Sequence, residues 1–364
     1  MPVSKKKALV GLDIGSHCIK LVEIDQSKRG RTLQNFGVIP TPAGAIVEGA
    51  IKDQDGVASA IKTLYKNLRV RNSNVAISLS GYSVIAKKIT LEKVEESKIE
   101  NTIQEEAEKY IPYDINEVNL DFVVLDSEGT AHADGKAERE SKGRKEMDLM
   151  LVAAKRDIID QHVELIRAAG LNPGVLDADI FALQNAAEIS LIDPESCYAI
   201  INLGAGELEI NVVSGGISIF SRDSSYGGAQ ITEAIATKFD IGLPEAEKIK
   251  LGGAKVDDRK EKDLEEILHH EVSKWGREIK RALDFVSGTR AGDPIKKIIL
   301  SGGTCKMPGI QKYLQMETGI PVEPLNPFRN LVVDYKRFDV DYLDYMALQA
   351  GVAVGLSLRS IDDK

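Results

Sequence analysis

The chain has 364 residues, 47 basic and 56 acidic, giving a formal charge of −9, with 43% hydrophobic and 28% charged residues. This is the composition of a folded, soluble protein rather than a disordered or collagen-like one. The acidic balance speaks against a protein whose main task is coating nucleic acid. Cys18, Cys197 and Cys305 are odd in number and widely spaced, so they form no disulfide framework and point to a reducing compartment.

At about 150 residues per domain, two lobes are expected. Lys5–Lys7 precede an apolar run, but Asp13 interrupts it too soon for a signal peptide, and no stretch approaches the roughly 20 apolar residues of a membrane span. In chain order, Val10–Ile14 and Ile19–Ile24 read as strands of a hairpin around Gly15-Ser16. Val57–Leu68 has helical apolar spacing and Val75–Leu79 reads as a strand. Ser97–Tyr110 is a charged helix stopped before Pro112, and Leu120–Leu125 and Asp148–Ala154 are strands. Their connector, Ser127–Glu146, is almost free of apolar residues and reads as a mobile loop. Helices follow at Ile158–Ala169, closed by Gly170, and at Ile180–Ile189. Tyr198–Leu203 and Leu208–Val213 form a second hairpin around Gly204-Ala205-Gly206, followed by helices at Ile231–Phe239 and Leu264–Val286. Ile295–Leu300 is a buried strand entering Ser301-Gly302-Gly303, and Asp344–Leu358 is a terminal helix.

The two hairpins are copies of one pattern. VGLDIGSHCIKLVEI at 10–24 and AIINLGAGELEINVV at 199–213 align at an offset of 189 residues, which puts Asp13 on Asn202, Gly15 on Gly204, Ser16 on Ala205 and Lys20 on Glu209. A small-residue turn lets backbone N–H groups approach an anion without a Cβ in the way. One such hairpin alone is more often a plain turn; two, half a chain apart, can clamp a polyphosphate from both sides. A third segment, Ile298–Thr304 followed by Met307-Pro308-Gly309-Ile310, is a buried strand feeding a double-glycine turn on which a ribose or flat ring can lie.

In this order the three segments resemble the phosphate-1, phosphate-2 and adenosine motifs of the actin-like ATPases, the superfamily that includes Hsp70 and sugar kinases. Tyr226–Thr232 resembles that superfamily's glycine turn, with Gly228 near the phosphates, and Ala246–Lys250 its ribose-contacting helix, with Glu247 and Lys250 as acid and base. Ala347, Ala350, Gly351, Val354 and Gly355 resemble its inter-lobe connecting helix. The fold this implies is α/β: an actin-like (ribonuclease H-like) two-lobed ATPase fold with an FtsA-type inserted subdomain. Lobe one would take 1–85, 176–192 and 340–364, the insert 86–175, the main part of lobe two 193–232 and 290–339, and its small subdomain 233–289.

Within the insert, Glu105–Ile115 (EEAEKYIPYDI) resembles the pattern of the PilM family of type IV pilus assembly, as do Ala169–Pro173 with Asp177–Ala182, and Pro324–Phe328. The resemblance implies ATP and Mg²⁺ as ligands, with Asp13 orienting the metal through water. Gly15, Ser16 and Lys20, then Asn202, Gly204, Ala205 and Gly206, would meet the phosphates. Gly302, Gly303, Thr304 and Met307 would hold the nucleoside. No catalytic residue is assigned: hydrolysing relatives usually carry aspartate where this chain has Asn202, which can neither supply the charge nor act as a base, so turnover is expected to be slow at most.

The same resemblance implies a cytoplasmic scaffold that grips the N-terminal cytoplasmic tail of PilN in a groove beside the insert. Such a scaffold lies against the inner membrane through that partner, beside other platform proteins and assembly ATPases, in a type IV pilus or type II secretion setting. An FtsA-like filament or anchor protein is the alternative, weakened because Arg359–Lys364 offers no apolar membrane-binding face. A phosphotransferase is the enzyme alternative, weakened by Asn202. The five histidines have no metal spacing and are expected at the surface; Trp275 is expected to pack.

Overall fold

A computed structural model describes residues 8–27, 30–47, 49–125, 146–190, 193, 195–289 and 294–361. The chain opens with β1 (Val10–Ile14) and β2 (Cys18–Ser27), an antiparallel pair extended by β3 (Gly30–Pro40). The short pair β4 (Ile46–Val47) and β5 (Ala50–Ile51) leads into α1 (Gln54–Leu68). The Asp53 carboxylate accepts a hydrogen bond from the Gly56 N–H at 2.9 Å, satisfying one of the first-turn donors that a helix leaves open. Val57, Ile61 and Leu64 of α1 face Val10, Leu12, Ile19 and Leu21, and β6 (Asn74–Leu79) joins β1 in parallel.

The insert follows with β7 (Val84–Glu92), α2 (Ile99–Ala107), β8 (Val118–Leu125) and β9 (Glu146–Lys155). Its strands form an antiparallel sheet in the order β7-β9-β8, around a separate core that includes Ile89, Leu91, Ile103, Leu149 and Leu151. The expected mobile connector lies outside the described residues, apart from Glu146. Next, α3 (Arg156–Ala168) ends beside Gly170, whose φ of +80° is a left-handed conformation suited to glycine. Leu165 and Ile166 pack into the core of the first sheet with α1, and β10 (Asn172–Ala178) pairs in parallel with β6. The expected insert, 86–175, therefore extends past its own sheet, because residues 156–175 pack with the first lobe. The first sheet runs β10-β6-β1-β2-β3.

After α4 (Asp179–Glu188), the second lobe repeats the plan with β11 (Tyr198–Leu203), β12 (Leu208–Ser214), β13 (Ile217–Ser224), α5 (Gly228–Phe239), α6 (Leu243–Lys250), α7 (Asp258–Thr289), β14 (Lys297–Ser301), α8 (Ile310–Thr318) and β15 (Val322–Pro324). Its sheet order is β13-β12-β11-β14-β15, with β14 parallel to β11 as β6 is to β1. On α7, Val272, Trp275, Ile279, Leu283 and Val286 are buried in the lobe-two core. Trp275 thus packs as expected, at 1% exposure.

The terminal helix is broken, not continuous. It divides into α9 (Val340–Met346) and α10 (Gly351–Ser357), with a 3₁₀ turn at Ala347–Gln349. The cause is the Leu348 carbonyl, which accepts from the Gly302 N–H at 2.6 Å and from Ser301 Oγ at 3.1 Å. Paired α4 and α10 sit between the two sheets. Ala182, Leu183, Val352 and Leu356 share one core with Ala76 of lobe one and Ile200 and Ile299 of lobe two. Full burial of a leucine or valine side chain contributes roughly 1.5–3 kcal/mol, so this shared core ties the lobes together. Beyond α10, Arg359 grips Asp177 with two bonds of 2.6 and 3.0 Å. Among the described residues no helix is long and apolar enough to cross a membrane.

Candidate functional site

Between the lobes lies a cavity of about 720 Å³, and the two hairpin turns form facing walls. The turns share one geometry: Gly15 N–H donates to the Cys18 carbonyl at 3.2 Å, and Gly204 N–H to the Glu207 carbonyl at 2.9 Å. The pairing repeats as well, with Asp13 opposite Lys20 and Asn202 opposite Glu209. A Cβ placed on Gly206 would stand 3.5 Å from Ser16 Oγ, so the turns face each other closely. The second turn is fixed from behind, since the Gly204 carbonyl accepts from Gly228 N–H at 2.9 Å and from Thr304 Oγ1 at 2.8 Å. Among the described residues, no protein acceptor takes the N–H groups of Ser16, Ala205 or Gly206, which leaves them for an anion.

The duplication carries opposite electrostatics in its two copies. Lys20 Nζ lies 2.8 Å from Asp13 Oδ2, and both side chains are about nine-tenths buried. Burial pulls the Lys20 pKa down, but the Asp13 carboxylate outweighs it and holds the ammonium above its ordinary value. In the second copy, Asn202 Nδ2 donates to Glu209 Oε2 at 2.6 Å. Burial and repulsion from Asp179, Asp223 and Glu207 push Glu209 well above the usual carboxylate range.

On the lobe-two side, Lys250 is only 4% exposed and binds Glu247 at 2.8 Å, Thr232 Oγ1 at 3.0 Å and the Gly228 carbonyl at 3.1 Å. These three bonds use all three ammonium donors. Glu247 also accepts from Thr232 and keeps a quarter of its side chain exposed at the cavity wall. Burial raises its pKa, but the bonds from Lys250 and Thr232 prevail and hold it below the ordinary value. Lys250 thus orients Glu247, which presents itself to the cavity.

The cavity gathers Asp13, Gly15, Ser16, Lys20, Asn202, Gly204, Ala205, Gly206, Glu247, Lys250, Gly302, Gly303 and Thr304 in its walls. Gly302 has φ +99°, and a Cβ there would fall 2.2 Å from the Leu203 carbonyl oxygen, so the turn requires glycine. Two expected residues lie elsewhere. Gly228 stands behind the wall, where a Cβ would meet Thr304 Oγ1 at 2.2 Å and Lys250 Nζ at 2.9 Å. Met307 is 5% exposed and packs into the lobe-two core, because the 3₁₀ turn Gly303–Lys306 rotates it inward.

The residue that faces the cavity instead is Lys306. It lies 3.6 Å from the Tyr345 ring centroid and 3.8 Å from Met346 Sδ, and it has no carboxylate partner among the described residues. Burial lowers its pKa to about 8. Sequence reading missed it because the adenosine-type motif carries no charge signal at that position. It missed Asp179 and Glu207 for the opposite reason, since carboxylates are common and only the fold brings these two to the cleft. Glu209 was within reach, being the repeat partner of Lys20. His162, expected at the surface, is buried, with Nδ1 2.9 Å from the Ile158 carbonyl.

The description "Type IV pilus assembly protein PilM" matches residues 11–361. The chain belongs to the PilM family. Its backbone is similar to a chain of a PilM–PilN type IV pilus biogenesis complex, with a TM-score of 0.83 and 28% identity over 98% of this chain and 100% of that one. A structure of the ethanolamine utilization protein EutJ from Carboxydothermus hydrogenoformans follows at a TM-score of 0.55 and 14% identity, covering 98% and 91%, and supports the fold alone. EutJ of Salmonella typhimurium is 25% identical over 174 residues, 45% of this chain and 53% of that protein. The chain thus spans about half the length of the curated relatives it matches. The duplicated lobes around one cleft are the actin-like ATPase fold.

Proposed function

We propose that this PilM-family chain is an ATP-binding scaffold of type IV pilus assembly that holds the N-terminal cytoplasmic tail of PilN. The facing hairpins carry the nucleotide half of this reading. Two turns with open backbone donors, three lysines and a double-glycine shelf enclose a cavity of about 720 Å³. Gly15, Ser16, Gly204, Ala205 and Gly206 would hold the phosphates, Gly302, Gly303 and Thr304 the nucleoside, and Glu247 the ribose. Asp13 would orient Mg²⁺ through water, the metal serving to offset phosphate charge. Because Asn202 is no base, ATP acts chiefly as a ligand that sets lobe closure.

Lys306 fits as an added phosphate contact, an ammonium parked on Tyr345 until an anion arrives. Lys306→Met is expected to weaken ATP binding about tenfold while leaving adenosine binding unchanged. The sign with pH follows from its lowered pKa: ATP affinity holds below pH 8 and falls as pH rises through about 8, where the free protein loses this charge. Titration calorimetry at pH 7 and pH 9.5 checks both effects, and the methionine variant should lose the pH dependence.

The partner half rests on the full-length similarity to a chain of the PilM–PilN complex. It also rests on a second cavity, of about 450 Å³, where Ser80 of lobe one, Ile85, Lys87, Tyr110 and Pro112 of the insert, and Phe220 and Phe285 of lobe two meet. Tyr110 and Pro112 belong to the EEAEKYIPYDI segment. A tail held there would place the chain against the inner membrane. Fluorescence anisotropy with a synthetic PilN tail peptide tests this; absence of binding both with and without ATP overturns it.

A further inference from the structure

The two cavities share a wall made of carboxylates. Asp179, the first residue of α4, and Glu209 of β12 line both cavities, Glu207 lines the first, and Asp223 of β13, directly opposite Glu209, lines the second. Glu209 is 3% exposed, and one of its oxygens, Oε1, has no hydrogen-bond partner; Asp223 Oδ1 is likewise buried and unpartnered. A carboxylate oxygen left bare in this way is costly, so such an arrangement signals a missing donor.

The surrounding cations are engaged elsewhere. Arg222 is ion-paired with Glu278 at 2.7 Å and Lys88 with Asp148 at 2.8 Å, Lys87 lies over the Tyr110 ring and Lys20 is held by Asp13. Burial with the charges of Asp13 and Glu207 pushes Asp179 well above the carboxylate range; burial with Asp179, Asp223 and Glu207 does the same to Glu209, and burial with the Glu207 charge takes Asp223 to about 7. Among the described residues no three such groups converge closely enough to hold a metal ion. Acceptors that are spread out, not convergent, suit a planar guanidinium, whose five donors point outward in a fixed fork.

We propose that this wall is a receptor for an arginine side chain, delivered through the second cavity by the docked partner segment. The inference rests on the tail-docking reading above and adds to it the chemical group that is read. A buried charge of the right sign there would supply the missing donors, and the pair would be worth most where water is excluded. It would also offset the repulsion that Asp179 and Glu209 exert on phosphates in the first cavity. Tail and ATP would then strengthen each other reciprocally, as linkage requires.

The inference requires arginine in the PilN tail, and a tail sequence without it overturns the inference. The test uses the full chain, the synthetic tail peptide and the same peptide with each arginine replaced by citrulline, its neutral near-isostere. The citrulline peptide should bind about tenfold more weakly or worse. Glu209→Gln with Asp223→Asn should weaken the native peptide similarly and leave the citrulline peptide unchanged. The native peptide, and not the citrulline one, should raise ATP affinity about fivefold. Equal binding of the two peptides overturns the inference while leaving tail docking intact, and this comparison needs no altered protein to fold. If the tail does not bind at all, N-acetylarginine amide followed by saturation-transfer NMR decides. Binding to the native chain that is lost in the double variant supports the arginine receptor, and no binding overturns it.

Discussion

Replacing Gly355 by alanine is expected to lower the melting temperature by about 4 °C and to reduce the yield of folded protein. Gly355 sits on α10 where that helix crosses α4, and a Cβ there would stand 1.7 Å from the Ala182 carbonyl oxygen and 2.4 Å from its carbon. Those atoms are backbone, so no rotamer change relieves the overlap and the helix pair must move apart. That pair fills the space between the two sheets, and on its far side a Cβ on Gly11 of β1 would stand 2.1 Å from the Ala353 carbonyl oxygen. The loss spreads to the shared core and costs about 3 kcal/mol. Gly288→Ala is the control: it lies near the end of α7, with nothing within 4 Å of a new Cβ, and should leave stability unchanged or raise it by up to ~1 kcal/mol. Differential scanning calorimetry separates the two outcomes; a Gly355→Ala protein as stable as the native one would mean the crossing is looser than the structure has it.

Asp13→Ala is expected to act twice. Without ligand it leaves the Lys20 ammonium buried and unpaired, since Asp13 is its ion-pair partner, and lowers stability by about 3 kcal/mol. Adding Lys20→Met should recover most of that loss, because removing both members of a pair spares the uncompensated charge. In the nucleotide reading the same change removes the residue that orients the metal. Affinity for ATP with Mg²⁺ should fall about 10–100-fold, while affinity measured in EDTA should hold or improve, since Lys20 is released for phosphate. Calorimetric titration with and without Mg²⁺ checks the difference. Equal losses in both conditions would remove Asp13 from any metal role and leave it as the partner of Lys20.

Features with local causes were legible along the chain. The strand Val10–Ile14 appears with the expected bounds, as does Tyr198–Leu203, because alternating or continuous apolar runs and glycine turns are written in adjacent residues. The two hairpins could be superimposed by sequence alone, and their cross-strand pairs, Asp13 with Lys20 and Asn202 with Glu209, follow from the same offset. Several strands went unread, two of them long. Gly30–Pro40 and Val84–Glu92 mix glycine, lysine and polar residues among their apolar ones, and only pairing with β2 and β9 selects the extended form. The terminal helix was expected unbroken because its residues favour it; a bond from the distant Gly302 takes the Leu348 carbonyl and splits it.

The duplication, the two glycine turns, the double-glycine shelf and the resemblance to the PilM family were all readable in linear order, because each depends on the spacing of nearby residues. Which side chains meet depended on the packing of distant elements. That packing turned Met307 into the core and Lys306 into the cavity, set Lys250 behind Glu247, and brought Asp179, Glu207, Glu209 and Asp223 to one wall. Burial and charge proximity act through space, and elements far apart in sequence supply them, so no window along the chain contains them.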